Sequence, residues 1–294
     1  MCLIAFALNV SSRWPLVIAA NRDEFLDRPT VPLARWKTST GQTIVSGRDL
    51  RAGGAWFGTS PGGRVAFLTN VREVDVVGAP RSRGELVTRW LESRGNAEDF
   101  LSRLAADPTA FAGFNLVIGD FGGNQWHWVT NRSSAHQTNA MYAEALKPGV
   151  YGLSNAALNS PWPKTTRLKS VLGQSLQANE PTDDLQALQA DLWQALGSRE
   201  RADAADLPVT GIPLAREEAL SSAFVEMPDY AYGTRSSTLL TASAGSRGWE
   251  VQMEEREHLR HSAVPGAGFI PDWQERRETL HWPAASISPL FTAA

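Results

Sequence analysis

The sequence predicts an α+β fold in which antiparallel sheets and helices occupy separate layers. Strand-like apolar runs joined by turn residues open the chain at 2–20, and strand-like runs return at 232–255. Helical patterns come in two blocks between them, at 82–104 and 164–196. Strands and helices therefore do not alternate strictly, as the βαβ units of a parallel sheet would require.

The first two strands are predicted to form a hairpin. Residues 2–10 and 16–20 are apolar runs, and the segment Ser-Ser-Arg-Trp-Pro between them is a turn signal. In an antiparallel hairpin, the end of the second strand lies beside the start of the first. We therefore expect the charged tetrad Asn-Arg-Asp-Glu at 21–24 to lie next to Cys2.

Cys2 is the only cysteine in the chain and is a candidate nucleophile. Removal of the initiator methionine would make it the N-terminal residue, so its own α-amine, with a pKa of about 8, could serve as the base. Arg22 would lower the pKa of the thiol, and Asp23 could bind the amine or orient Arg22. Two alternatives stay open: Cys2 as a small buried residue, and the tetrad as a solvated turn.

Strands in the middle of the chain end in two asparagines. Short strands are predicted at 43–46 and 55–58, and a longer one at 64–71 has Asn70 near its end. Asn155 follows a later strand in the same way. A side-chain amide at such a position could stabilise an oxyanion, although an asparagine in a turn is the simpler interpretation.

The predicted helices are interpreted as packing elements. Ser82 and Glu85 have the spacing of a capping box before the first helix, and Asn96 is expected to cap the second. Leucines recur at three- and four-residue steps within 182–196, as in an amphipathic helix. His127, between Trp126 and Trp128 in a predicted strand, is interpreted as a packed or surface histidine, since no ligand partners stand near it in sequence.

The end of the chain is predicted to return to the sheet. A strand at 232–243 pairs with another at 249–255, and Arg235 on the first lies either at an edge or in a site. From about 258 the sequence is rich in proline, glycine and mixed charge, and we expect a peripheral tail. Residues 1–294 are expected to form a single domain.

Composition excludes several classes of partner. The net charge is −3 and the isoelectric point is near 6.0, which argues against a nucleic-acid partner. No apolar run approaches the roughly 20 residues of a membrane helix, and no signal peptide is visible. A single cysteine favours a reducing, cytoplasmic setting. Eleven tryptophans indicate either core packing or a tryptophan-lined ligand cleft.

A set of short motifs then points to a known family. In order, they are Met1-Cys2, Asn21-Arg22-Asp23-Glu24, Gly53-Gly54-Ala55-Trp56-Phe57-Gly58, Thr69-Asn70-Val71-Arg72, Phe114-Asn115-Leu116, Gly152-Leu153-Ser154-Asn155, Pro163-Lys164 and Gly233-Thr234-Arg235-Ser236-Ser237-Thr238. Together they resemble the NRDE family, also called the transport and Golgi organisation protein 2 family. That family is similar to the N-terminal nucleophile (Ntn) hydrolases, so the resemblance implies their four-layer αββα sandwich of two antiparallel sheets.

The resemblance also implies a set of site residues. Cysteine hydrolases of the Ntn type, such as bile salt hydrolase and penicillin V acylase, cleave linear amides with a leading cysteine and partners on nearby strands. The positions that match their motif are Cys2, Arg22, Asp23, Asn70, Asn155 and Arg235. Glu24 is an alternative to Asp23 as the acid.

The expected function is that of an N-terminal cysteine hydrolase or acyltransferase acting on a linear amide or thioester, without a cofactor. The alternative is a non-enzymatic carrier of haem or an acyl-CoA-like amphiphile on the same scaffold. The sequence predicts no nucleic-acid partner and leaves the oligomeric state open.

Overall fold

The computed structural model describes residues 2–74, 78–132, 141–245, 248–258 and 273–283. Their strands form two sheets of seven strands each, and every pairing within the sheets is antiparallel. The prediction of antiparallel sheets is therefore confirmed. Hairpins account for most neighbouring pairs in the second sheet, while the first sheet joins the two ends of the chain.

The first sheet has the strand order β10-β1-β2-β12-β13-β14, with β11 paired to β12. Its strands are β1 (Cys2–Leu8), β2 (Leu16–Phe25), β10 (Gly149–Leu153), β11 (Glu226–Met227), β12 (Tyr232–Gly245), β13 (Gly248–His258) and β14 (Trp273–Pro283).

The second sheet runs in chain order from β3 to β9. Its strands are β3 (Thr30–Lys37), β4 (Thr43–Asp49), β5 (Phe57–Thr59), β6 (Arg64–Asn70), β7 (Phe114–Asp120), β8 (Gln125–Thr130) and β9 (Tyr142–Ala145).

The main core lies between the two sheets. Alternate residues of a strand face opposite sides, so Ile4, Phe6 and Leu8 of β1 point toward the second sheet. The ring of Phe6 meets that of Phe67 edge-on, with centroids 5.1 Å apart. This face-to-face packing buries a continuous apolar layer contributed by both sheets.

Helices cover the outer face of each sheet. α1 (Gly84–Glu92) and α2 (Ala97–Ala105) pack on the second sheet, and α3 (Pro163–Asn179) and α4 (Leu185–Leu196) pack on the first. α5 (Leu214–Ala219) is a single short helix before β11. The result is the predicted four-layer αββα sandwich, in the α+β class.

Local sequence signals explain where these helices begin. The Asn96 side chain accepts a hydrogen bond from the Asp99 backbone N–H at 2.8 Å, as predicted for a cap. Asp184 caps α4 in the same way, through the Ala187 N–H at 2.9 Å. In α4 the buried residues follow the leucine pattern of the sequence. No helix in the described ranges is both long and apolar enough to cross a bilayer.

The prediction of a peripheral tail from about residue 258 is wrong for the last described segment. β14 pairs with β13 over eleven positions at the edge of the first sheet. Leu280 and Trp282 are buried in the core between the sheets. Their alternation within a charged strand is a period of two, which fixes one face to the core and the other to solvent.

Candidate active site

The hairpin places Cys2 at the head of the candidate site. β1 and β2 pair along seven positions, and Cys2 lies opposite Arg22. Since Ile4 and Phe6 face the second sheet, the same alternation directs Cys2 and Arg22 into the space between the sheets. The predicted position of the tetrad beside Cys2 is therefore correct.

The thiol itself is largely buried. Cys2 is 8% exposed, and burial raises the pKa of its thiol, while the positive charge of Arg22 acts in the opposite direction. The predicted influence of Arg22 has the right sign but is smaller than the cost of removing a thiolate from water. A base is therefore required to activate this thiol at neutral pH.

Arg22 is fixed by neighbours on the thiol side of the sheet. Its Nη2 lies 3.8 Å from a Glu24 oxygen and 3.7 Å from an Asp49 oxygen, and its guanidinium lies 4.2 Å from the Trp56 ring centroid. Although burial opposes ionisation of Asp49, a hydrogen bond from Arg28 at 2.6 Å helps to hold the pKa of that carboxyl below its usual value. Glu24 and Asp49 thus serve to hold Arg22.

Asp23 lies on the opposite, helix side of the same strand. It is 1% exposed, and its carboxylate accepts a hydrogen bond from Thr234 Oγ1 at 2.7 Å. Burial raises the pKa of Asp23, while the nearby Lys164 ammonium acts to lower it. Arg22 pairs with Cys2, and Asp23 is the next residue on β2. The backbone of Asp23 therefore lies beside the backbone nitrogen of Cys2. The acid on the side of the Cys2 backbone nitrogen is therefore Asp23, with Glu24 on the other face.

The two strand-end asparagines meet beside Cys2. Continuing the pairing of Ile4 with Leu153 by two residues places Asn155 opposite Cys2, and the neighbouring Ser154 hydroxyl donates to the Cys2 carbonyl at 3.0 Å. Asn155 Nδ2 donates to the Asn70 carbonyl at 2.8 Å. One N–H of Asn155 is thereby anchored, and its second N–H is available to an oxyanion.

Asn70 contributes to this arrangement through its backbone. Along β6, Val65 and Phe67 face the space between the sheets, whereas Ala66 and Leu68 face α1. The alternation directs the Asn70 side chain away from the thiol, and its carbonyl is the acceptor that holds Asn155. Of the two predicted oxyanion donors, Asn155 has the better position.

Arg235 holds the turn after the tetrad through one of its guanidinium nitrogens. It lies at a bulge in β12, where the register with β2 shifts between Thr234 and Ser236. Its Nη1 donates to the carbonyls of Phe25, Leu26 and Arg28, at 3.0, 3.1 and 3.0 Å. These bonds fix the turn that follows the tetrad. Burial lowers the pKa of Arg235, and the nearby positive charge of Arg22 acts in the same direction. The place of Arg235 in the site stays a prediction.

Lys164 is a buried cation near Cys2, to which the motif Pro163-Lys164 gave no role. It lies in the first turn of α3, is 3% exposed, and its Nζ forms no hydrogen bond with any described residue. Burial lowers its pKa to about 8, while the negative charge of Asp23 acts to raise it. A lysine near a helix N-terminus opposes the helix dipole, and this unusual placement was the signal available in the sequence.

A buried ion pair continues this network. Arg72 pairs with Glu217, which is 2% exposed, and its guanidinium lies 4.5 Å from the Trp162 ring centroid. The Arg72 backbone N–H donates to the Asn155 carbonyl at 2.8 Å. The helix side of the strand ends therefore holds two cations, Lys164 and Arg72, and two carboxylates, Asp23 and Glu217.

Comparison with known proteins identifies the family. Residues 1–259 match the family model of Transport and Golgi organisation 2. The chain belongs to the Transport and Golgi organisation 2 family. The family resemblance drawn from the ordered motifs is therefore confirmed, and the matched region ends just after β13.

Curated members of this family align along most of their length. The chain is 31% identical to the Transport and Golgi organization protein 2 homolog of Bos taurus over 275 residues, covering 88% of this chain and 94% of that one. It is 30% identical to the Mus musculus homolog over 273 residues, with the same coverage of both chains. Against the Drosophila melanogaster protein, identity is 28% over 290 residues, covering 94% of this chain and 96% of that one.

Two solved structures are similar in outline to this member of the family. A Caenorhabditis elegans ortholog of N-acylethanolamine-hydrolyzing acid amidase has a TM-score of 0.46 at 12% identity, covering 81% of this chain and 92% of that one. The C2A mutant of conjugated bile acid hydrolase from Clostridium perfringens has a TM-score of 0.47 at 9% identity, covering 85% and 91%.

Proposed function

We propose that this protein is an N-terminal cysteine hydrolase or acyltransferase that acts on a linear amide or thioester. The observation that carries the proposal is the placement of two charged residues on opposite sides of Cys2. Arg22 lies on the thiol side of the strand, and Asp23 lies on the side of the Cys2 backbone nitrogen. Each reactive group of an N-terminal Cys2 thus has its own charged partner, Arg22 for the thiol and Asp23 for the amine.

The first step is proton transfer within Cys2. After removal of Met1, the free α-amine takes the proton of the thiol, and the Asp23 carboxylate stabilises the resulting ammonium. Because burial raises the pKa of the thiol, Arg22 alone does not produce the thiolate, and the α-amine removes the proton as the base. The thiolate then attacks the substrate carbonyl carbon, whose π electrons move onto the oxygen.

The second step is collapse of the tetrahedral intermediate. The second N–H of Asn155 donates to the oxyanion, an interaction that is typically worth about 3 kcal/mol in such sites. The ammonium of Cys2 returns its proton to the leaving amine or thiolate as the carbon–heteroatom bond breaks. Water or another acceptor then attacks the thioester, with the amine as base, and releases Cys2 for the next cycle.

The carrier alternative has less support. It was based partly on the number of tryptophans, and five of them, Trp14, Trp90, Trp126, Trp128 and Trp282, are buried in core clusters. Trp56 and Trp162 lie near the site, but each has an arginine stacked on its ring. Haem or amphiphile binding stays a prediction.

A reducing, cytoplasmic setting, proposed from the single cysteine, suits a catalytic thiol.

The test compares the wild-type protein with Cys2→Ala on a panel of linear amides and thioesters. Intact mass first establishes that Met1 has been removed from the purified protein. We expect Cys2→Ala to lose at least about a thousandfold in turnover while keeping its melting temperature. An acyl adduct on the wild-type chain, absent from the variant, would support the covalent route. Unchanged turnover in Cys2→Ala would refute it.

A further inference from the structure

Arg83 is a cation at the rim of the Cys2 site that the proposed mechanism does not use. It immediately precedes α1 in the helical layer on the second sheet, and its side chain is only partly exposed. Its Nη1 donates to the Gly113 carbonyl at 3.0 Å. One N–H of its guanidinium is anchored in this way, and the rest of its planar donor fork stays available.

Hydrogen bonds connect this anchor to the nucleophile. The Gly113 carbonyl also accepts the Val71 N–H at 3.0 Å, next to the Asn70 carbonyl that binds Asn155. Ser154 immediately precedes Asn155, and its hydroxyl donates a hydrogen bond to the Cys2 carbonyl. Arg83 therefore belongs to the same rigid edge as the proposed oxyanion donor.

A second connection joins Arg83 to Arg22. Gly84, the residue after Arg83, packs so closely on Gly54 that a Cβ on Gly54 would lie 2.4 Å from the Gly84 carbonyl carbon. The Gly84 carbonyl also accepts the Ala55 N–H at 3.2 Å, and the next residue, Trp56, stacks on Arg22. Only glycine allows this approach, which brings the start of α1 to the segment before β5 that contains Trp56.

The carboxylates near Arg83 are already paired with other arginines. Glu24 lies 3.8 Å from Arg22 Nη2 and 3.9 Å from Arg28 Nε, and Glu73 pairs with Arg132. Within the described ranges, no carboxylate lies at ion-pair distance from Arg83. Burial lowers the pKa of its guanidinium, and Glu24, Cys2 and Glu73 favour the charged form from further away. Arg83 is thus a fixed cation whose direct partner is a backbone carbonyl.

Arg22 provides an independent sign that this region can bind an anion. Its side chain is 5% exposed, and its Nη1 has no hydrogen-bond partner among the described residues. A buried arginine N–H without an acceptor is costly, and a ligand oxygen would relieve that cost. Arg22 belongs to β2 and Arg83 precedes α1, and each has guanidinium N–H groups without a hydrogen-bond partner among the described residues.

We propose that Arg83 is a substrate-recognition residue that, with Arg22 Nη1, binds an oxyanion group on the substrate of Cys2. The substrate class is then an amide or thioester that carries a carboxylate or a phosphate near the scissile bond. This inference rests on the proposed function, because it names the substrate of the same site. Arginine suits both groups, since its planar fork binds their oxygens in pairs.

The test uses the single thiol and two alkylating reagents that differ in charge. Protein with Cys2 at its N-terminus is treated with iodoacetate and with iodoacetamide at low salt, and the two second-order rate constants are measured by intact mass. The ratio of the iodoacetate rate to the iodoacetamide rate reports attraction of an oxyanion to the thiol. We expect Arg83→Gln to lower this ratio about five- to tenfold, and Arg83→Lys to retain much of it.

The matched control is Arg89→Gln. Arg89 lies on α1, which Arg83 precedes; it is partly exposed and pairs with Glu85 at 3.5 Å, so its removal should leave the ratio unchanged. Competition by acetate and by inorganic phosphate then distinguishes a carboxylate from a phosphate site. A ratio that is the same in Arg83→Gln and wild type, or equal falls in both rates, would overturn the inference.

Alkylation does not require turnover, so the two proposals fail separately. A charge-dependent ratio with no loss of turnover in Cys2→Ala would refute the hydrolase and leave anion recognition standing. A Cys2-dependent turnover with an unchanged ratio would do the reverse.

Discussion

The two faces of the first sheet at the Cys2 end offer a controlled comparison, because one tetrad supplies both. Arg22 and Glu24 face the space between the sheets, where neighbouring charges are matched in a partly exposed network with Asp49 and Arg28. Asp23 faces the helices, where Thr234 and the Lys164 ammonium are its surroundings.

The difference between the faces is one of hydration. Glu24 retains 21% of its side-chain exposure, whereas Asp23 retains 1% as a residue. On the helix side, burial raises the pKa of Asp23 and lowers that of Lys164, because desolvation disfavours each charged form. Neighbours in sequence thus acquire different chemistry from the period of two in a strand. In the proposed mechanism, the buried helix side handles the proton and the side between the sheets orients the substrate.

The largest expected effect separates the two acids of the tetrad. Asp23→Asn should lower turnover, and the alkylation rate of Cys2 at neutral pH, by about a hundredfold, because the ammonium of Cys2 loses its carboxylate. Glu24→Gln changes the other face and should cost less than tenfold. Rate constants for both variants, measured against pH, make the comparison. Equal losses in the two variants would mean that the faces are not functionally distinct.

The next effect concerns the buried lysine and has opposite signs for stability and activity. Asp23, Arg72, Cys2 and Glu217 surround Lys164, and its folded pKa of about 8 lies below the usual 10.5. Between these values the unfolded chain binds more protons, so wild-type stability rises with pH from about 8 to 10.5. Lys164→Met should remove this rise and increase the free energy of unfolding at pH 7 by up to about 3 kcal/mol.

Urea denaturation at pH 7, 9 and 10 measures this prediction, together with the pH profile of Cys2 alkylation. Lys169→Met is the control, since Lys169 lies on the same helix with an exposed contact to Asn159. We expect slower alkylation in Lys164→Met and no change in the control. A Lys164→Met protein with wild-type pH dependence of both quantities would show that the lysine is not coupled to the site.

The last effect is confined to stability and tests whether burial, and not the side of the sheet, sets the pKa of a carboxyl. Glu255 on β13 faces the space between the sheets, is 2% exposed, and accepts the Leu33 N–H at 2.7 Å. Burial raises its pKa to about 7, so the folded chain binds more protons between pH 4.5 and 7. Stability contributed by this group should therefore fall as pH rises across that window, by at most about 3 kcal/mol.

Glu255→Gln should flatten that part of the stability curve, as measured by thermal or urea unfolding from pH 4.5 to 8. Glu250→Gln, five residues earlier on the same strand and only partly buried, is the matched control. If the slope persists in Glu255→Gln, the carboxyl is already hydrated and the space between the sheets is wetter than its burial indicates.

Local patterns were enough to predict much of the site. The hairpin of β1 and β2 follows from two apolar runs and a turn, and the antiparallel geometry then brings Arg22 opposite Cys2. The cap at Asn96 and the leucine face of α4 follow from spacing along a single helix. Each of these predictions uses interactions among residues close in the chain, where strand and helix periods fix the geometry.

Other roles depended on contacts between distant segments. Motif position predicts Arg235 as a site residue, and only the folded structure shows that its Nη1 binds the turn after β2. Asn70 and Asn155 looked equivalent, and their difference arises from the anchoring bond between them. β14 looked like part of a tail, because the charged residues on its exposed face hide Leu280 and Trp282.

The sequence by itself determined the pairing that matters most, a thiol at the chain start beside an arginine and an acid, together with the four-layer class. Only the tertiary structure decided which face each charge occupies, and that Lys164 and Arg83 approach Cys2 from two helices far away in sequence. The physical reason is that backbone periodicity is local, whereas desolvation depends on every segment packed around a group. The shifted pKa of a buried group, or an arginine with unused donors, can therefore be recognised only in the folded structure.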